Sequence, residues 1–188
     1  MEVKDQVKIK VLGEITAKFY DQRSLSRADL AINRFIRKHR KSLPFLMKSY
    51  RLGKLVNVDK HKNVICNAGF GAITKMLVGD SSYSGNGEIN KAALGTGSAT
   101  PSASDTALDT ESYRNDMASG SASGNIASLT AFFTESECSG TYTEFGNYID
   151  GLEGADTGLL WSHIGGLNWV KDLSTVIVVS QKYTFASV

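Results

Sequence analysis

Cysteine, proline and tryptophan each occur only twice in this chain and histidine three times, so several chemistries are short of material from the start. Cys66 and Cys138 cannot make a disulfide framework, and their spacing from each other and from His39, His61 and His163 fits no zinc pattern. Buried free thiols and synthesis in a reducing cytoplasm are expected. Long apolar runs are missing too: the longest aliphatic stretch, Val176 to Val179, is far below the ~20 residues that a membrane-spanning helix needs. Met1 to Asp5 alternates in charge and lacks the apolar centre of a signal peptide, so neither export nor a membrane anchor is expected. No internal repeat or heptad stretch is present.

Glycine and charge asymmetry are what the chain has in quantity. Its 18 glycines and 41% hydrophobic content describe a globular protein with many tight turns. The formal net charge of +2 conceals two unlike parts. Residues 1–62 carry 16 Lys and Arg against 6 Asp and Glu, whereas residues 63–188 carry 5 against 13. The division suggests a basic N-terminal strand and helical arm over 1–62, followed by a β-rich structural domain over 63–188.

Alternation of apolar and polar residues over Val7 to Val11 and Gly13 to Tyr20 predicts a half-buried strand. After Ser26, Leu30, Ile32, Phe35 and Ile36 recur at helical spacing among Arg34, Arg37, Lys38, Arg40 and Lys41, which predicts an amphipathic basic helix over 27–41 ended before Pro44. Phe45 to Met47 reads as a docking segment. Leu55 to Val58 and Asn63 to Cys66 read as two short strands across a turn at 59–62, and Asn67 as the cap of a helix over 68–77 closed by Gly79. Further strands are expected at 89–94, 126–133, 141–149, 159–164 and 175–185, with polar loops at 81–87 and 118–124. The pattern implies a mainly β fold, a β-sandwich or distorted barrel, with one or two short helices.

The segment from Ala93 to Arg114 is the most informative. Gly95 and Gly97 would permit a sharp exit from the 89–94 strand, and Pro101 cannot continue a central strand. Ser104 or Asp105 could then cap a short helix, with Glu111 and Arg114 paired at i,i+3 on one of its faces. Glycines between a strand and a helix also build anion cradles. Neither the dinucleotide glycine spacing nor a P-loop lysine is present here, so the simpler reading is a structural joint.

Signatures of catalysis are thin. The three histidines fall in a basic helix, a basic turn and a strand with no shared local partner, and no enzyme activity or cofactor is expected. Asp105, Glu111 and Glu144 could be assembled into a divalent-ion site, but capping, pairing with Arg114 and strand-face charge account for them. The acidic loop 150–156 lacks the ordered ligand spacing of a calcium loop and reads as a solvated turn. Trp161, Trp169, Tyr142, Phe145 and Tyr148 could form a carbohydrate-stacking platform or, alternatively, pack in the core or a subunit interface. The basic helix suits an acidic protein surface, solvent or nucleic-acid phosphates.

Leu94-Gly95-Thr96-Gly97, Pro101, Asp105-Thr106-Ala107-Leu108, Glu111 and Arg114 together resemble a pattern that recurs in structural proteins of tailed bacteriophages. Asn63-Val64-Ile65, Asn67-Ala68-Gly69 and Glu144-Phe145-Gly146 are similar to flanking elements of the same proteins, so the resemblance runs from Asn63 to the C-terminal end. The basic, helix-leaning segment 25–50 departs from the compact hairpin often found there. The resemblance implies a non-enzymatic virion component of tail, neck or baseplate, made in the host bacterial cytoplasm, whose partners are copies of itself in a homo-oligomer and other virion proteins. Capsid decoration, host receptor or glycan binding, and nucleic-acid binding through the basic helix are the alternatives.

Overall fold

The computed structural model describes residues 9–187; the part of the first expected strand before Ile9 lies outside them. Ten strands and two α-helices follow in the order β1 (Ile9–Asp21), α1 (Arg27–His39), β2 (Lys54–Ile65), α2 (Asn67–Val78), β3 (Ile89–Gly95), β4 (Glu111–Ser123), β5 (Ile126–Phe133), β6 (Gly140–Tyr142), β7 (Glu144–Ile149), β8 (Leu159–Ile164), β9 (Trp169–Lys171) and β10 (Thr175–Ser187). Short 3-10 turns occupy Gln22–Ser24 and Pro44–Ser49.

Eight strands close into one antiparallel barrel sheet in the order β1-β10-β5-β4-β3-β7-β8-β2, while β6 and β9 form a separate pair. The first and last strands of the chain run side by side from Ile9↔Ser187 to Asp21↔Thr175. Closure between β2 and β8 is narrow, resting on Val64↔His163 and Ile65↔Ser162. From Lys54 to Asn63, β2 is therefore paired with β1 on one side only.

Period-two alternation in β1 sends Ile15, Ala17 and Phe19 into the interior, where they meet Ala92, Leu94, Phe133, Phe145, Trp169, Ile177 and Val179. Burying each large apolar side chain of this kind contributes about 1.5–3 kcal/mol. Two layers cover the outside. Ile36 of α1, with Met47 and Tyr50, packs on Val176 and Val178 of β10. At a barrel end, α2 lies so close to β8 that a β-carbon on Gly69 would meet the Trp161 ring at 2.5 Å.

Residues 1–62 do not form a free arm across their described part, because β1 and β2 are staves of the barrel and α1 packs against it. Ser26 caps α1, accepting from the Asp29 amide at 3.2 Å. Buried Asn33 ties the helix to the chain beyond it through the Arg51 amide and carbonyl, each at 2.8 Å.

Several local expectations are corrected. Residues 59–62 are not a turn, since β2 runs through them without a break. Cys66, not Asn67, is the N-cap of α2 and supplies no side-chain bond; Gly79 closes the helix in the left-handed conformation, as expected. The polar stretch 118–123 is the second half of β4, recruited by cross-strand pairing to β5 around a two-residue turn with Gly124 at φ 56°. The expected 141–149 strand is divided at Thr143 into β6 and β7, which belong to different sheets. No helix of the described residues is long and apolar enough to cross a membrane.

Candidate functional site

Between β3 and β4 the chain does not form the expected capped helix. Residues 96–110 instead run as an irregular loop over the outer face of β3, β7 and β8, and Glu111 and Arg114 are opening residues of β4. Leu108 anchors the loop in a cluster of Cys66, Ala93, Tyr148 and Leu160, and its amide donates to the Tyr148 hydroxyl at 3.0 Å.

Glu144, the first residue of β7 and 1% exposed, clasps the loop from below. Its Oε1 accepts from the amides of Gly97 at 2.9 Å and Thr110 at 2.7 Å, and its Oε2 accepts from the Asp109 amide at 3.0 Å. Converging backbone amides of this kind form an anion cradle. Here the anion is the chain's own carboxylate. The glycines follow from the same closeness: neither has a positive φ. A β-carbon on Gly95 would lie 2.3 Å from Glu144 Oε1, and one on Gly97 would lie 2.3 Å from Asp109 Cβ and 2.6 Å from Glu144 Oε1.

His163 completes the clasp. Buried at 1% exposure, it places Nε2 3.0 Å from Glu144 Oε2 and Nδ1 2.7 Å from Asp105 Oδ2. The ring can donate to both carboxylates only with a proton on each nitrogen. Asp105 also accepts from the Ser102 amide at 2.8 Å, so its task is to hold the loop rather than to cap a helix.

The expected Glu111–Arg114 pair does form, by strand geometry. The β3–β4 register moves from Leu94↔Tyr113 to Gly95↔Glu111, leaving Ser112 as an extra residue that brings the two side chains to one side. Arg114 Nε is 2.5 Å from Glu111 Oε1, and the second guanidinium nitrogen is 2.6 Å from Oε2, a two-point contact between buried groups. The remaining nitrogen donates to the carbonyls of Leu152 at 3.0 Å and Thr157 at 3.1 Å, while the guanidinium lies 4.5 Å above the Tyr148 ring. The pair thereby fastens the acidic 150–157 loop. In that loop Asp150 accepts from the amides of Asn86 at 3.1 Å and Gly87 at 3.0 Å, and Glu153 reaches Lys91 at 3.3 Å. No group of three or more metal-capable side chains occurs among the described residues.

The basic helix has its acidic counterpart within the same chain. Arg37 pairs with Glu135, Arg40 pairs with Glu137 at 2.6 Å and bonds to Asn115, and Lys41 reaches Glu153 at 3.4 Å. Arg34 and Lys38 remain exposed. An open cleft of about 650 Å³ runs between the helix and β4, with Arg37, Lys38, Arg40, Glu111, Arg114 and Glu137 among its walls.

Sequence reasoning missed the meeting of Glu144, His163 and Asp105, and also the 2.8 Å bond from Trp169 Nε1 to Asp59. Gly95 and Gly97, read as a sharp strand exit, are the local trace of the first, since a β-carbon at either would meet Glu144; nothing local signalled the second. Tyr142, Phe145, Tyr148, Trp161 and Trp169 are all buried, so the carbohydrate platform they were considered for is not at the surface. Both cysteines are free. Burial, with a contribution from the Asp105 charge, pushes the Cys66 thiol up to about 12. No protein-family model, curated protein or solved structure matches the chain.

Proposed function

We propose that the protein is a non-enzymatic structural component of a bacteriophage particle, in the tail, neck or baseplate, acting as one copy in a symmetric oligomer. The observation that carries this reading is the use made of the phage-like residues. Glu144, with Gly95, Gly97 and Asp105, holds one surface loop, and Glu111 with Arg114 holds another. A closed sheet clamped by such contacts suits a rigid building block. Exposed Leu77 and Val78 at the end of α2 offer apolar area for neighbouring subunits. The exposed Arg34, Lys38 and Lys41 add charge that orients such contacts more than it strengthens them.

Purified particles from a bacterial culture producing this chain provide the test. Peptides of the chain should co-purify with the particles, and antibody to it should label one defined location. Reversing charge at Arg34, Lys38 and Lys41 should reduce incorporation while leaving the isolated fold intact. Particles that form normally without the chain, with none of it bound, would rule the reading out.

A further inference from the structure

The outer face of β2, β1 and β10 carries five exposed lysines. Strand alternation puts Lys10 and Lys18 outward from β1, opposite to the buried Ile15, Ala17 and Phe19. The registers Thr16↔Lys60 and Glu14↔Lys62 bring Lys60 and Lys62 to the same face, and Glu14↔Lys182 brings Lys182. Glu14 is the single carboxylate within this set, and none of the five lysines takes part in an ion pair among the described residues. Elsewhere Glu111, Glu135, Glu137 and Glu153 are bound to basic groups of the chain, and Glu144 to His163 and backbone amides.

We infer that this face is a docking surface for the phosphate backbone of double-stranded DNA. Sheet geometry sets the spacing: lysines two apart on a strand stand about 6.7 Å apart, and neighbouring strands lie about 4.8 Å apart. The result is an array of point charges across three strands, beside a depression of about 360 Å³ that Glu14, Thr16, Lys60 and Lys62 help to line. Lysine ammonium groups suit phosphates without demanding one geometry. The paired positions 10–18, 56–62 and 180–184 put no tryptophan or phenylalanine on this face for bases to stack on, which favours a duplex backbone over single strands. Backbone contacts alone give binding that is independent of sequence. This surface is distinct from α1, and the inference does not rest on the virion reading.

Fluorescence anisotropy of a labelled duplex of about 30 base pairs tests it, with the salt dependence as the readout. Binding should weaken by roughly several hundred-fold between about 50 and 200 mM salt, as expected for four to five phosphate contacts. Combining Lys18→Gln, Lys60→Gln, Lys62→Gln and Lys182→Gln should lower the slope of log affinity against log salt by about 3 to 4. The smaller Lys60→Gln/Lys62→Gln variant should lower it by about 2, so the test survives if the larger variant does not fold. Neutralising Arg34 and Lys38 should leave the slope unchanged. The inference is overturned by an absence of binding at low salt, which would leave the lysines as guards of the free β2 edge. An unchanged slope in both lysine variants overturns it, as does a loss that follows the α1 substitutions instead. Tighter binding of polyglutamate than of duplex would overturn it in favour of an acidic protein partner.

Discussion

Glu144 Oε1 lies 2.9 Å from the amide nitrogen of Gly97 and would lie 2.6 Å from a β-carbon at that position, so one contact both uses the backbone donor and forbids a side chain. These two residues are 47 positions apart. Their meeting fixes the path of the loop between β3 and β4 and, through His163 and Asp105, ties that loop to β8.

Glu144→Gln removes the charge that three amides and His163 face and turns an NH2 group toward donors. Breaking one member of a buried charged network costs about 3–5 kcal/mol. Urea denaturation should show a loss in this range. A loss below about 1 kcal/mol would mean that the clasp is not stabilising.

Gly97→Ala and Gly79→Ala separate two reasons for glycine. At 97 the added carbon collides with Asp109 and Glu144 in ordinary backbone geometry, whereas at 79 nothing lies within 4 Å but φ is +62°. Overpacking costs typically 1–3 kcal/mol, while a left-handed alanine costs roughly 1 kcal/mol. In a double-mutant cycle, Gly97→Ala should couple with Glu144→Asp, which withdraws the colliding oxygen; Gly79→Ala should not.

Arg114→Met would leave Glu111 buried without its partner and free the carbonyls of Leu152 and Thr157. The expected cost is about 3–5 kcal/mol. Limited proteolysis should then cut first within residues 150–157. Cleavage unchanged in rate and place would show that the pair does not restrain that loop.

Tyr83, Tyr113 and Tyr183 are each pushed up to about 12, chiefly by burial. Burial also raises Tyr50, Tyr142 and Tyr148. In the unfolded chain these phenols lose their protons near pH 10. The folded state therefore holds more protons than the unfolded one above pH 10, and stability, complete below that pH, falls as pH rises toward about 12. Ultraviolet titration should show most of the tyrosinate appearing together with unfolding. Smooth ionisation of all seven tyrosines near pH 10 in the folded protein would contradict this.

With its thiol buried and pushed up to about 12, Cys66 should resist iodoacetamide at pH 8 in the native state. Cys138 is half-buried and is also raised by burial. Mass spectrometry should find both fully alkylated only in denaturant. Rapid native labelling of Cys66 would show that the loop covering it opens readily.

Local readings succeeded where a preference is carried by neighbours in sequence. The strands at 126–133 and 159–164 match at both ends, α1 begins at Arg27 behind its Ser26 cap, and Gly79 closes α2. They failed where partners distant in sequence override local preference. Ser119 to Ser123 is poor strand material, yet pairing with β5 makes it strand. Asp59 looks like a turn residue, yet within β2 it receives the Trp169 indole. Glu111 and Arg114 met as their spacing suggested, but a β-bulge rather than a helical turn brought them together.

The strands at 126–133 and 159–164, the glycine-rich loop and the separation of charge into a basic first third and an acidic remainder belong to the sequence alone, because alternation, capping and composition act over a few residues. Tertiary structure decided how those charges are used. Arg37 and Arg40 meet Glu135 and Glu137 from nearly a hundred positions away, which turns an apparent arm into a layer packed on the barrel, and the lysines of β1, β2 and β10 become one face only through strand register. The reason is physical: such contacts depend on pairing across the whole sheet, and a closed sheet brings together residues whose separation along the chain contains no trace of their proximity.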